Sequence, residues 1–173
     1  TVAQALFLDT ETTGAITADI TEGDLATLTT LTDANGNNAL TITVTNPSAD
    51  AADLNTVATI TSVLVDATAV TMITGSATEV LDILNDGTTF VASNVNFIID
   101  EVASAANIQT ISAATTGEIT ATLASGETVL DLSGATASKN TIILNDDGVI
   151  VTGSGQVDEV TVGAGADTLN LGD

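Results

Sequence analysis

Ser104-Ala105-Ala106-Asn107-Ile108-Gln109-Thr110-Ile111 sets a small hydroxyl residue three positions before an amide, with Ile108 and Ile111 following on one helical face. A Ser so placed accepts a hydrogen bond from a free first-turn N–H, and the residue three positions on can reach back to it. The same arrangement occurs at Thr21…Asp24, Asp50…Asp53 and Ser76…Glu79, each ahead of a short apolar run. The four signals start 29, 26 and 28 residues apart. An interval this steady is the mark of a repeat architecture.

Longer matches support the repeat. Residues 51–67 align without gaps on residues 105–121, with five identities and with Leu54/Ile108, Val57/Ile111 and Val65/Ile119 keeping side-chain shape. Thr12-Thr13-Gly14-Ala15-Ile16-Thr17-Ala18 returns as Thr115-Thr116-Gly117-Glu118-Ile119-Thr120-Ala121 with one mismatch. Between the helical signals lie short strand patterns, of which Leu40-Thr41-Ile42-Thr43-Val44-Thr45 alternates most cleanly. Others fall at residues 63–65, 70–73, 90–91, 95–99 and 129–132. The repeat predicts a parallel β-solenoid with short capped helices, built from α/β coils of about 26–29 residues over positions 1–135. Residues 1–20 read as part of an incomplete coil, and residues 21–31 as the first complete helix. From about residue 136 no cap-and-helix signal remains and Gly-Asp turns crowd together, so residues 136–173 read as a helix-free, β-roll-like end of one continuous domain.

Charge narrows the range of functions. Twenty-three Asp and Glu face one basic residue, Lys139, for a formal net charge of −22. Phosphate backbones require Lys or Arg, so nucleic acid is excluded as a partner, and anionic lipid is disfavoured on the same ground. Repulsion at this density opposes compaction unless salt screens it or cations neutralise it. Saline, calcium-rich extracellular surroundings are the expected setting. No cysteine is present to form disulfides, so stability must come from packing or from metal. No apolar run approaches the ~18 residues of a membrane span, and direct membrane insertion is not expected. The chain opens with Thr1-Val2-Ala3, without a signal-peptide pattern, and reads as a segment of a longer protein.

Gly163-Ala164-Gly165-Ala166-Asp167-Thr168-Leu169-Asn170-Leu171 combines two turn glycines, a carboxylate and alternating apolar residues. Glycines let a tight turn aim carbonyl oxygens inward, and a hard cation such as calcium takes six to eight oxygens. This segment resembles the nonapeptide of repeats-in-toxin (RTX) proteins, the hemolysin-type calcium-binding family. Val162 stands where that family usually has a leading glycine. Gly153-Ser154-Gly155-Gln156-Val157-Asp158 resembles the motif with one inserted residue, and Gly172-Asp173 begins a third copy. The resemblance covers about the last twenty residues. It implies calcium as cofactor, with Asp158, Asp167 and Asp173 as carboxylate ligands and Gly153, Gly155, Gly163 and Gly165 supplying carbonyls. In that family a site combines turns stacked two copies apart. The coils of residues 1–135 are also similar in composition to the Thr- and Ala-rich repeats of very large secreted bacterial and cyanobacterial surface proteins.

The leading expectation is therefore a structural repeat segment of a secreted, calcium-dependent cell-surface, S-layer-like or extracellular filament protein that self-associates end to end or laterally. An adhesin arm holding a surface glycan is the alternative. Enzymatic chemistry is not expected: without His or Cys the usual bases, thiol nucleophiles and zinc ligands are missing. Paired carboxylates could cleave a glycosidic bond, but nothing singles out a pair. Asp33, Asn35 and Asn37 have the spacing of a calcium loop without its twelfth-position Glu, and read as a turn. Thr41, Thr43, Thr45, Thr120 and Thr122 read as β-branched strand residues rather than an ice-binding array.

Overall fold

Helices here are fixed by their caps, because segments this short are marginal on propensity alone. The computed structural model describes residues 1–85 and 87–171. Among them are five helices, α1 (Val2–Glu11), α2 (Leu25–Leu28), α3 (Ala51–Ala58), α4 (Ala77–Asn85) and α5 (Ala105–Ala114). Asp50 caps α3 through the Ala52 and Asp53 N–H groups, and Ser104 caps α5 through Asn107 N–H at 3.2 Å. Ser76 and Glu79 form the expected reciprocal box on α4: Glu79 N–H donates to Ser76 Oγ, and Ser76 N–H donates to the Glu79 carboxylate at 2.9 Å. Each helix turns an apolar face inward, with Leu54, Val57, Val80, Ile108 and Ile111 fully buried.

One helical expectation needs correction, and one helix was not foreseen. The cap of α2 is Asp24, whose carboxylate accepts Thr27 N–H, and the helix is a single turn rather than spanning residues 21–31. Residues 1–20, read as part of an incomplete coil, contain a helix that the reading did not place, α1. Its signal lay in Thr1-Val2-Ala3-Gln4, where Thr1 Oγ1 accepts Gln4 N–H and the Gln4 side chain reaches back to the Thr1 amine at 3.1 Å.

The strands, in chain order, are β1 (Thr17–Asp19), β2 (Ala39–Thr41), β3 (Ser48–Asp50), β4 (Val65–Ala67), β5 (Met72–Gly75), β6 (Thr89–Val91) and β7 (Asn96–Ala103). There follow β8 (Glu118–Leu123), β9 (Val129–Asp131), β10 (Lys139–Ile143), β11 (Ile150–Thr152), β12 (Val157–Thr161) and β13 (Thr168–Asn170). Every registered pairing among the described residues is parallel. The strand expected over residues 40–45 stops at Thr41, with one isolated bridge from Thr43 to Asp66. The strand expected over residues 63–65 begins only at Val65, leaving Val63 and Leu64 exposed.

The fold is an α/β arrangement, and the expected single parallel β-solenoid with an RTX-like β-roll end is not what forms. The strands divide among four parallel sheets of two, six, three and two strands. The chain condenses into two compact units, residues 1–71 with 82–92 and residues 72–81 with 93–173. The physical reason is that the repeats are unequal. Helices run from four to ten residues and strands from three to eight. No constant rung exists to propagate one sheet through the chain.

In the first unit β1 pairs with β2 and β4 with β6, over a core that includes Leu28, Leu40, Ile42, Val44 and Val65. Buried Asp9 is held by three donors, Thr32 Oγ1 at 2.7 Å, Ala34 N–H at 3.1 Å and Asn38 Nδ2 at 3.2 Å. The Thr32 hydroxyl, then the Ala34 N–H, hold its carboxyl below the ordinary range. Asn38 also accepts Ile16 N–H at 3.1 Å, so one buried amide ties α1 to the start of β1.

The second unit holds five strands of the six-stranded sheet, in the order β12-β10-β8-β7-β5, and the three-stranded sheet β13-β11-β9. Phe97, Ile119, Leu123, Leu130, Ile142 and Val151 fill its interior. A buried polar chain runs through it. Ser112 Oγ donates to Asn140 Oδ1, and Asn140 Nδ2 donates to Asp158 Oδ1 at 2.8 Å. Lys139 meets Glu159 at 2.6 Å on the exposed face, where such a pair adds little stability. Among the described residues no helix is long and apolar enough to cross a membrane.

Candidate functional site

Gly148, at φ +75°, occupies the left-handed region that side chains disfavour, and it closes the turn Asn145-Asp146-Asp147-Gly148 between β10 and β11. Two other turns lie against this one. On one side Asn145 Nδ2 donates to the carbonyls of Ala124 and Glu127. Asp147 Oδ2 there accepts Gly126 N–H at 2.7 Å and Ser125 Oγ at 3.0 Å. The Gly126 N–H, then the Ser125 hydroxyl, hold the Asp147 carboxyl below its ordinary value.

On the other side lies the best match to the nonapeptide. Asp146 Oδ1 accepts Ala164 N–H at 2.7 Å, and Asp167 Oδ1 accepts Val149 N–H at 2.8 Å. A Cβ built on Gly163 would lie 1.9 Å from Asn145 O, and one on Gly165 would lie 2.2 Å from Gly148 N. Both clashes are with backbone, which has no rotamer to yield. The two glycines are therefore required by turn-on-turn contact, and Gly163→Ala is expected to separate these turns. Amide exchange should report it, with the Val149 and Ala164 N–H groups losing protection while those of β8 keep theirs.

Asp167 Oδ2 is buried, and no described residue gives it a hydrogen bond. A buried carboxylate oxygen without a donor is costly, because burial removes the water that would otherwise solvate it. The stacked turns carry other oxygens as well: the carbonyls of Asn145 and Asp146, which crowd Gly163 and Gly165, and the Asp146 carboxylate, whose Oδ1 accepts Ala164 N–H. An unsatisfied carboxylate oxygen is the kind of ligand that a hard divalent cation takes. Among the described residues no three acidic, His or Cys side chains converge as a cluster, so carbonyls would have to complete any coordination.

The other predicted residues are placed differently. Gly153 packs against Leu171, where a Cβ would lie 2.6 Å from Leu171 Cα, whereas Gly155 has open space around it. Asp158 is committed within the protein. Its carboxylate accepts Ser154 N–H at 2.6 Å, Ser154 Oγ at 3.0 Å and Asn140 Nδ2 at 2.8 Å. Asp173 lies outside the described residues, as does Gly172. Sequence reasoning overlooked Asn145 and Asp146, which read only as turn residues. Their signal was the eighteen-residue offset from Asn145 to Gly163, the length of two nonapeptides. The chain matches no family model, no curated protein and no solved structure.

Proposed function

We propose that the chain is a structural repeat segment of a secreted, calcium-dependent protein of a cell surface, S-layer-like lattice or extracellular filament, and that it has no enzymatic role. The observation that carries this reading is Asp167 Oδ2, buried without a donor in a pair of stacked turns that also hold the Asp146 carboxylate. The net charge of −22 supports it, since a polyanion gains most where divalent cations are abundant. Asp167, Asp146 and the carbonyls of Asn145 and Asp146 would hold the ion, and Gly163 and Gly165 allow the turns to close on it. Bound calcium supplies positive charge to these oxygens and, by binding the folded state alone, adds its binding free energy to stability.

Thermal melting in chelator and in millimolar calcium tests the reading. At a hundredfold excess over the dissociation constant, linkage adds about 2.7 kcal/mol, which for a domain of this size raises the midpoint by about 5–10 °C. Magnesium, which dehydrates reluctantly, should give a smaller shift. Asp167→Ala should remove the calcium-dependent shift. A midpoint unaffected by calcium would eliminate the metal from the function.

A further inference from the structure

Asn35-Gly36 is the one Asn-Gly pair in the chain. Asparagine is thermolabile, because the backbone nitrogen of the next residue can attack its side-chain carbonyl carbon. Glycine in that next position leaves the nitrogen unhindered, having no Cβ to block the approach. Gly36 has φ +67°, and a Cβ built on it would meet nothing within 4 Å. Asn35, Gly36 and Asn37 are all exposed. The Gly36 N–H makes a long bond, 3.3 Å to Asp33 O, so little has to break before the nitrogen turns.

This turn is also a clasp on the end of α1. Asn35 Nδ2 donates to Thr12 O at 3.2 Å, and Asn37 Nδ2 donates to Thr13 O at 3.3 Å. On either side of the pair lies a donor to buried Asp9, Ala34 N–H at 3.1 Å and Asn38 Nδ2 at 3.2 Å. Asp33 sets the width of the turn by accepting Asn37 N–H at 3.2 Å and Asn38 N–H at 3.1 Å. The backbone of residues 34–38 therefore fixes the spacing at which both donors meet Asp9.

Comparable positions elsewhere are guarded. Asp147-Gly148 has a similar backbone, with Gly148 at φ +75°. There a Cβ would touch the Ala166 backbone at 3.4 Å, and Asp147 Oδ2 is taken by Gly126 N–H and Ser125 Oγ. An ionised carboxylate pinned in this way offers no leaving group to an attacking nitrogen. Asn94 is exposed, but Val95 follows it, with a β-branched side chain that is buried. Asn35 has neither protection.

We propose that Asn35 is a self-modifying site, whose conversion to aspartate and isoaspartate loosens the hold of residues 33–38 on α1. The Gly36 nitrogen bonds to Asn35 Cγ, the Cγ–Nδ2 bond breaks, and ammonia leaves with the proton that the Gly36 nitrogen gives up. Water then opens the cyclic imide. Attack at Cγ restores the main chain and yields aspartate, whereas attack at the main-chain carbonyl leaves Gly36 joined through Cγ and yields isoaspartate. Either product loses the amide that donates to Thr12 O and gains a negative charge. Isoaspartate also lengthens the backbone between Ala34 and Asn38 by a methylene, so the two donors no longer meet Asp9 together. None of these residues belongs to the stacked turns, so the inference stands apart from the calcium reading.

Warm, mildly alkaline incubation of the full chain tests it, followed by peptide mapping and enzymatic methylation of isoaspartyl groups. Acid should accumulate at position 35 at least about tenfold faster than at Asn94, with no isoaspartate at Asp147. Asn35→Gln closes such a ring far more slowly and should emerge from the incubation unchanged in mass and melting midpoint. The aged wild type should lose amide-exchange protection at Ala34, while the strands of the second unit keep theirs. An Asn35 that stays intact, or converts no faster than Asn94, would overturn the site. Conversion with Ala34 still protected would overturn the loosening of α1, as would an equal loss of protection in incubated Asn35→Gln.

Discussion

Asn140→Ala should lower the melting midpoint by about 6–12 °C, the largest effect expected from a single substitution in the second unit. Asn140 is fully buried and lies at the centre of the polar chain. Its oxygen accepts Ser112 Oγ, and its Nδ2 donates to Asp158 Oδ1 at 2.8 Å. Truncation leaves Ser112, which is also fully buried, without its acceptor and the Asp158 carboxylate short of one donor. Each orphaned buried group costs about 1–3 kcal/mol, and a combined loss of about 3 kcal/mol corresponds to that shift for a domain of this length. Asn140→Asp separates shape from hydrogen bonding. It fills the same volume but turns the donor facing Asp158 into a second acceptor, so it should be at least as destabilising at neutral pH and should recover in part as the pH is lowered. Equal midpoints for the wild type and both variants would show that the chain of contacts carries no stability.

In low salt, stability should rise as the pH is lowered from 7 toward 5 and then collapse below about pH 4. The first limb reflects the net charge of −22, whose self-repulsion falls as carboxylates begin to protonate. Added salt should flatten this limb, because screening removes the same repulsion. The second limb has a different origin. The carboxyls of Asp9, Asp24, Asp66, Asp131 and Asp147 are held below their ordinary values by hydrogen bonds they accept. For Asp24 the donors are the Asn46 amide and Thr27, for Asp66 the Thr68 N–H and hydroxyl, and for Asp131 those of Ser133. A group whose folded pKa is depressed stabilises the fold above its unfolded value, and that contribution is lost as the pH falls through the folded value. These bonds do not depend on ionic strength as the long-range repulsion does, so the acid limb should persist in high salt. Melting across pH at two salt concentrations checks both limbs, and a profile that falls steadily from pH 7 downward in low salt would contradict the first.

The sequence by itself determined the short-range features of this protein. Three of the four expected caps stand where they were read, because a side chain that accepts a first-turn N–H acts within three residues. The fourth failed by the same logic, Asp24 being nearer to the helix than Thr21, and the overlooked α1 also carried its capping box in plain view. Glycine and acid spacing likewise marked the turn at residues 163–167. What only tertiary structure decided is which strands share a sheet and which carboxylate keeps a free oxygen. Asp158 and Asp167 sit in similar motifs, yet Asn140 and Ser154 satisfy the first, whereas Asp167 Oδ2 is buried without a donor. The strands divide among four sheets, and the helices and strands of successive repeats differ in length. Strand pairing is settled by contacts tens of residues apart, and local periodicity has no hold over their register.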